Sequence, residues 1–140
     1  MTTNRYEIHE IKDEKLKFAV MICTYEDQLV FVQHKLRNTL EFPGGHREAN
    51  ESILACAQRE LWEETGAIRY ELTPRWIYGV QKDGEEESYG MLYTGNIMEF
   101  EEIPKDSEIE RRVLCSALPE DWTYPKIQPY LYEFVKENLK

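Results

Sequence analysis

The sequence predicts an α+β fold built in layers, with helices packed on a sheet. Three observations carry this expectation. Extended segments come in two groups, and each group is followed by one helical segment. Phe18–Tyr25 (FAVMICTY) is almost continuously apolar, as a buried strand requires. From about Glu51 to Thr65, Ile53, Leu54, Ala57 and Leu61 form an apolar stripe at helical spacing, with Glu60, Glu63 and Glu64 on the adjoining arc.

The elements follow in order. Residues 1–16 are polar with spaced Tyr6, Ile8 and Ile11, which fits an edge strand. After Phe18–Tyr25, Glu26-Asp27-Gln28 turns the chain and Leu29–Gln33 returns as a hairpin partner. A polar loop, His34–Thr39, leads into Leu40-Glu41-Phe42, which Pro43 and two glycines end. Asn50 is the expected N-cap of the helix and Gly66 its C-terminal stop. Arg69–Leu72 and Trp76–Gln81 read as two strands separated by Thr73-Pro74-Arg75. Asp83-Gly84 marks a turn, and Ser88–Phe100 reads as one long strand or two. An acidic loop, Glu101–Glu110, precedes a short strand at Arg111–Ser116. Lys126–Asn138 closes the chain as an amphipathic helix that accommodates Pro129 in its first turn.

At 140 residues, with 41% hydrophobic and 31% charged residues, the chain suits a single domain, residues 1–140, with a real core. A net charge of −10 argues against long nucleic acids and anionic membranes as non-specific partners. It leaves room for a small phosphorylated substrate, because a bound metal inverts the local sign. Cys23, Cys56 and Cys115 are odd in number and widely spaced, which suggests reduced thiols used as small core residues. The N-terminus lacks the apolar core of a signal peptide, and no apolar run reaches membrane-span length. The expectation is a soluble cytoplasmic protein; the sequence does not fix its oligomeric state.

Chemistry concentrates in Gly44–Ala67, GGHREANESILACAQRELWEETGA. Three carboxylates at i, i+3 and i+4 share one side of a helix and repel one another unless a cation joins them. Written out, the pattern is Gly45, five residues, Glu51, seven residues, Arg59-Glu60-Leu61, one residue, Glu63-Glu64, one residue, Gly66. This resembles the signature of the Nudix hydrolases. Every fixed letter is present, and the one departure is Ala67 where the family places a bulky aliphatic residue. Upstream, LEFPGG (40–45) resembles the entry to the motif in antimutator-type nucleoside triphosphate pyrophosphohydrolases.

The resemblance implies an α/β/α sandwich with a mixed sheet, and hydrolysis of a nucleoside diphosphate linked to another group. It implies Mg²⁺ or Mn²⁺, held by Glu60, Glu63, Glu64 and the Gly44 carbonyl, and hard oxygen ligands suit those ions. Arg59 and Glu51 would form an internal ion pair that fixes the acidic edge. For the general base, Glu108 is the first choice, with Glu110 and a motif glutamate as alternatives. Phe42 would give an aromatic platform and Gln128 an edge reader for the base; core packing and a surface amide are the plain alternatives. Arg37 and Lys35 are placed to touch phosphates, and surface roles suit them equally.

The implied reaction gives monophosphate and pyrophosphate from a nucleoside triphosphate, with 8-oxo-dGTP as one candidate. The 5′ end of RNA, dinucleoside polyphosphates and nucleotide sugars are the alternatives, and a non-catalytic nucleotide-binding module is the rival from another class. No stable nucleic acid complex is expected. His9, His34 and His46 show no ligand spacing and read as surface histidines. Trp62, Trp76 and Trp122 read as packing residues, and Glu85–Glu87 as solvated loop charges.

Overall fold

The computed structural model describes residues 1–139. Among these residues, seven strands form one sheet: β1 (Thr2–Tyr6), β2 (Leu16–Tyr25), β3 (Gln28–His34), β4 (Gly44–His46), β5 (Ala67–Gln81), β6 (Ser88–Phe100) and β7 (Ile109–Cys115). The order across it is β1-β5-β6-β2-β3-β7, with β4 on β2. β2 and β6 run parallel and the other pairings are antiparallel, so the sheet is mixed.

Helix α1 (Ile53–Thr65) covers one face and α2 (Gln128–Val135) the other. β2 shows why. Its alternate residues Ala19, Met21 and Cys23 join Ile53, Cys56, Ala57 and Leu61 in one core cluster. Val20 and Ile22 join Leu131 and Val135 in the other. A strand buried on both faces needs apolar residues at every position, which is the continuous pattern the sequence carries. The sandwich is therefore α/β/α. Among the described residues, no helix is long and apolar enough to cross a membrane.

Some expected boundaries move. Asn50 is not the cap: its φ is +63°, and it belongs to the turn before the helix. Ser52 caps α1 instead, its Oγ accepting from Ala55 N at 3.0 Å. Gly66 ends the helix at φ +77°, as expected. Leu54 is 45% exposed, and Cys56 takes its expected place in the core. The 67–81 stretch is one strand, with Pro74 accommodated by a register shift against β6. The closing helix is shorter than Lys126–Asn138 and ends in a 3-10 turn at Lys136–Leu139. Glu87 is not simply solvated: it accepts from Asn4, Tyr6 and Tyr89 and ties β1 to the sheet.

One feature of the sheet opens the site. β3 pairs with β2 only at Thr24–Tyr25. Beyond that, the 40–46 segment wedges between them. Glu41 exchanges both backbone bonds with Val32 of β3, at 2.8 and 3.1 Å, and Gly44–His46 pair with β2. The gap so created is reached from both helical layers.

Candidate active site

Arg59 is the hub of the acidic edge. Its Nε and one terminal nitrogen donate to the two oxygens of Glu51, at 2.6 and 2.9 Å. The same terminal nitrogen donates to the His46 carbonyl at 2.9 Å, and the other donates to Glu60 and Glu63. The expected Glu51–Arg59 ion pair is thus present. Glu51, however, precedes the helix, and its carboxylate also accepts from Glu48 N. A fork that binds one carboxylate with two parallel bonds fixes direction as well as distance. Glu51 consequently sits well below the usual carboxylate range, at about 2, chiefly through the bond from Arg59.

The glycine turn brings backbone against this edge. Gly44 N donates to Glu64 Oε1 at 2.9 Å. A Cβ on Gly44 would lie 2.5 Å from the Ala19 carbonyl oxygen of β2, so only glycine lets β4 pass this close. Burial raises the Glu64 carboxyl to about 9, against the lowering effect of the Gly44 bond. Burial likewise raises Glu60 to about 6, against the effect of Arg59.

These carboxylates open into a cavity of about 890 Å³. Among the described residues, seven acidic side chains line it (Glu41, Glu48, Glu60, Glu63, Glu64, Asp106 and Glu108) against three cations, Arg37, Arg59 and Lys82. A polyphosphate would be repelled from such a surface unless cations entered with it. The donor set fits Mg²⁺ or Mn²⁺: oxygen ligands, partly desolvated, beside backbone that only glycine allows. Among the described residues, no three His, Cys, Asp or Glu side chains form a complete cage. Mg²⁺ ordinarily takes one or two carboxylates and completes its shell with water and phosphate.

The other expected residues fall out as follows. Gln128 is buried, and its Oε1 accepts from Phe42 N at 2.8 Å, which turns its NH₂ away from that bond. The Phe42 ring is 1% exposed and stacks on Phe31 at 4.5 Å, with Trp122 edge-on at 5.7 Å. It is committed to the core, so a platform role for that ring is not what the packing provides. Arg37 lines the cavity and pairs with Glu41 at 3.3 Å. Glu108 lines the cavity, whereas Glu110 is exposed and does not.

Tyr124, Trp62 and His34 are among the cavity residues that the sequence pattern does not mark, as is Glu41. Tyr124 is 39% exposed and lies one helical turn before Gln128, with its carbonyl accepting from Gln128 N at 3.0 Å. Trp62 is 41% exposed, and its Nε1 donates to Glu101 at 2.7 Å, so the packing role expected of it does not hold. His34 is mostly buried, with 17% of its side chain exposed, and is not a surface histidine. Trp62 sits at the one variable position between Leu61 and Glu63, which gave a signal of place though not of role. Nothing in local sequence marks His34 or Tyr124, because long-range pairing brings them in.

Comparisons with known proteins agree with this geometry. The NUDIX domain model matches residues 15–135. A probable DHNTP pyrophosphohydrolase of Lactococcus lactis is 34% identical over 67 residues, which cover 47% of this chain and 40% of that protein. The match thus spans less than half the length of that relative. A Bacillus subtilis pyrophosphohydrolase, BsRppH, superposes with a TM-score of 0.78 at 25% identity, covering 97% of this chain and 90% of that one. A NUDIX hydrolase from Nitrosomonas europaea has the same fold, with a TM-score of 0.71 at 20% identity over 89% of this chain and 91% of its own. With the motif, the fold and the matched span in agreement, the chain belongs to the NUDIX domain family.

Proposed function

We propose that the chain is a metal-dependent pyrophosphohydrolase acting, as a single cytoplasmic domain, on a triphosphate whose heterocycle carries a fused 2-amino-4-oxopyrimidine edge. GTP, 8-oxo-dGTP and dihydroneopterin triphosphate share that edge. One observation carries the reading: a single cavity joins the acidic edge of α1 to a recess containing Glu41, Tyr124 and Gln128. The Gln128 NH₂ is a donor suited to the ring carbonyl, and the Glu41 carboxylate is an acceptor suited to the ring N–H and amino group. Tyr124 presents the exposed aromatic face that Phe42 does not. The names of the Lactococcus lactis and Bacillus subtilis relatives support pyrophosphate chemistry.

Glu60, Glu63 and Glu64, with the backbone at Gly44, would hold Mg²⁺ or Mn²⁺. The ion, when bound, supplies neutralisation of phosphate charge and activation of water. Arg59 keeps the acidic edge in place through Glu51. Arg37, which lines the same cavity and pairs with Glu41, would serve as a phosphate contact. Glu108 accepts the proton lost by the attacking water, whose oxygen bonds to phosphorus as the P–O–P bridge breaks. The products are monophosphate and pyrophosphate.

The whole-length likeness to BsRppH favours a second reading, removal of pyrophosphate from a 5′-triphosphorylated RNA end. One panel tests both. Pyrophosphate release would be measured, with and without Mg²⁺, from GTP, 8-oxo-dGTP, dihydroneopterin triphosphate, ATP, diadenosine polyphosphates and 5′-triphosphorylated RNA. The proposal expects Mg²⁺-dependent turnover with ATP at least about tenfold behind the 2-amino-4-oxo group, the worth of one well-made polar contact. Preference for RNA ends would transfer the function to the second reading. No turnover on any member would leave a binding module.

A further inference from the structure

We propose that His34 is a positioning residue for the Glu108 carboxylate, holding it over the acidic edge of α1. This rests on reading Glu108 as the general base.

Strand register places the two side chains together. β3 and β7 pair regularly from Leu29–Cys115 to Gln33–Arg111 and then shift, so that His34 stands opposite Ile109. Glu110 is the extra residue. A bulge of this kind bends the strand locally and re-aims side chains, and bulges gather beside active sites. Here it turns Glu110 outward, while Glu108 and His34 both line the cavity that holds Glu60, Glu63 and Glu64. The junction is fastened by backbone, with Lys35 N donating to the Glu108 carbonyl at 2.9 Å. Ser107 Oγ accepts from Ile109 N at 3.1 Å and steadies the other side.

The imidazole is oriented for its task. Leu36 N donates to His34 Nδ1 at 3.1 Å, which makes Nδ1 the acceptor and puts the ring proton on Nε2. Nε2 lies 3.5 Å from Glu108 Oε2, within ion-pair distance and a few tenths of an ångström longer than a formed N–H···O bond. The two partners differ in freedom. The Glu108 side chain is 77% exposed and that of His34 only 17%. A solvated glutamate samples many rotamers, and a base must lie within hydrogen-bond reach of the proton it takes. A fixed N–H beside the carboxylate reduces that sampling, as outer partners do for the side chains they orient.

The full-length chain with ¹⁵N-labelled histidine tests the contact without reference to turnover. His34→Gln identifies the His34 ring signals among the three histidines. The expected spectrum shows a proton on Nε2, and its signal moves in Glu108→Gln but not in Glu110→Gln. A proton on Nδ1, or no response to Glu108→Gln, overturns the proposal. Rates on GTP and 8-oxo-dGTP then test its consequence. His34→Ala should lower kcat about tenfold to a hundredfold with KM within about twofold, and His34→Gln, which keeps a donor, should recover most of the loss. In a Glu108→Gln background, His34→Ala should add nothing. Losses that add in full would assign His34 a separate role and defeat the proposal while Glu108 remained the base. An unimpaired Glu108→Gln enzyme would instead defeat the base assignment itself.

Discussion

Arg59 shares one guanidinium among Glu51, Glu60 and Glu63, and Glu51 takes two of its bonds, one on each carboxylate oxygen. Glu51 is therefore the acidic residue whose protonation should be felt most at low pH. Its carboxyl lies at about 2 in the folded chain against an ordinary value of 4.5. A depressed folded value means that the unfolded chain binds the proton more readily. The stabilisation is complete above about 4.5 and is lost as pH falls through about 2. Glu51→Gln should accordingly be less stable than the parent at pH 7, and the difference should shrink steadily as pH falls from 4.5 to 2. Melting temperatures of both proteins across that range would show it; a gap independent of pH would mean that Glu51 contributes shape rather than charge.

Among the elements, α1 bears most of the load, since one helix supplies both a core stripe and the acidic edge. Its N-terminus rests on Ser52, whose hydroxyl accepts from Ala55 N. Ser52→Ala should cost about 1 kcal/mol, the usual worth of such a cap, read from denaturant midpoints, whereas Asn50→Ala should not show a cap's loss. Loss at Asn50 but not at Ser52 would contradict the observed start of the helix. Buried strands, the hairpin, the amphipathic helix and its glycine stop follow from periodicity and turn chemistry, which are local. The cap went to Ser52 because Glu51 is bound to Arg59 and Glu48, a competition between side chains that residue preferences do not contain. The 67–81 strand is continuous because β6 accommodates Pro74 by a register shift, which depends on a neighbour far along the chain.

At the scale of the whole molecule, the cavity takes its two ends from opposite layers. The acidic edge comes from α1, and Gln128 comes from α2 across the sheet. They meet because the 40–46 segment parts β2 from β3, and the Phe42 N–H that belongs to this segment also fixes the Gln128 amide. This explains the uneven legibility of the site. Glu60, Glu63 and Glu64 lie within five consecutive residues and could be read together. His34, Tyr124 and the burial of Phe42 depend on packing between segments distant in sequence, which no local pattern records. The same division predicts that cation binding and heterocycle recognition can be lost separately. A ligand that binds only the folded state raises its melting temperature in proportion to ligand binding energy. Mg²⁺ alone should therefore raise the melting temperature of the parent and of Gln128→Ala alike, and should have little effect on Glu64→Gln, which keeps its shape but cannot ionise to hold a cation. Turnover should show the complementary pattern. Glu64→Gln should lose about two orders of magnitude or more on every nucleotide, while Gln128→Ala should lose mainly the preference among them. A Gln128→Ala protein that no longer responds to Mg²⁺, or a Glu64→Gln protein that still responds fully, would show that the two ends of the cavity act as one site and not as two.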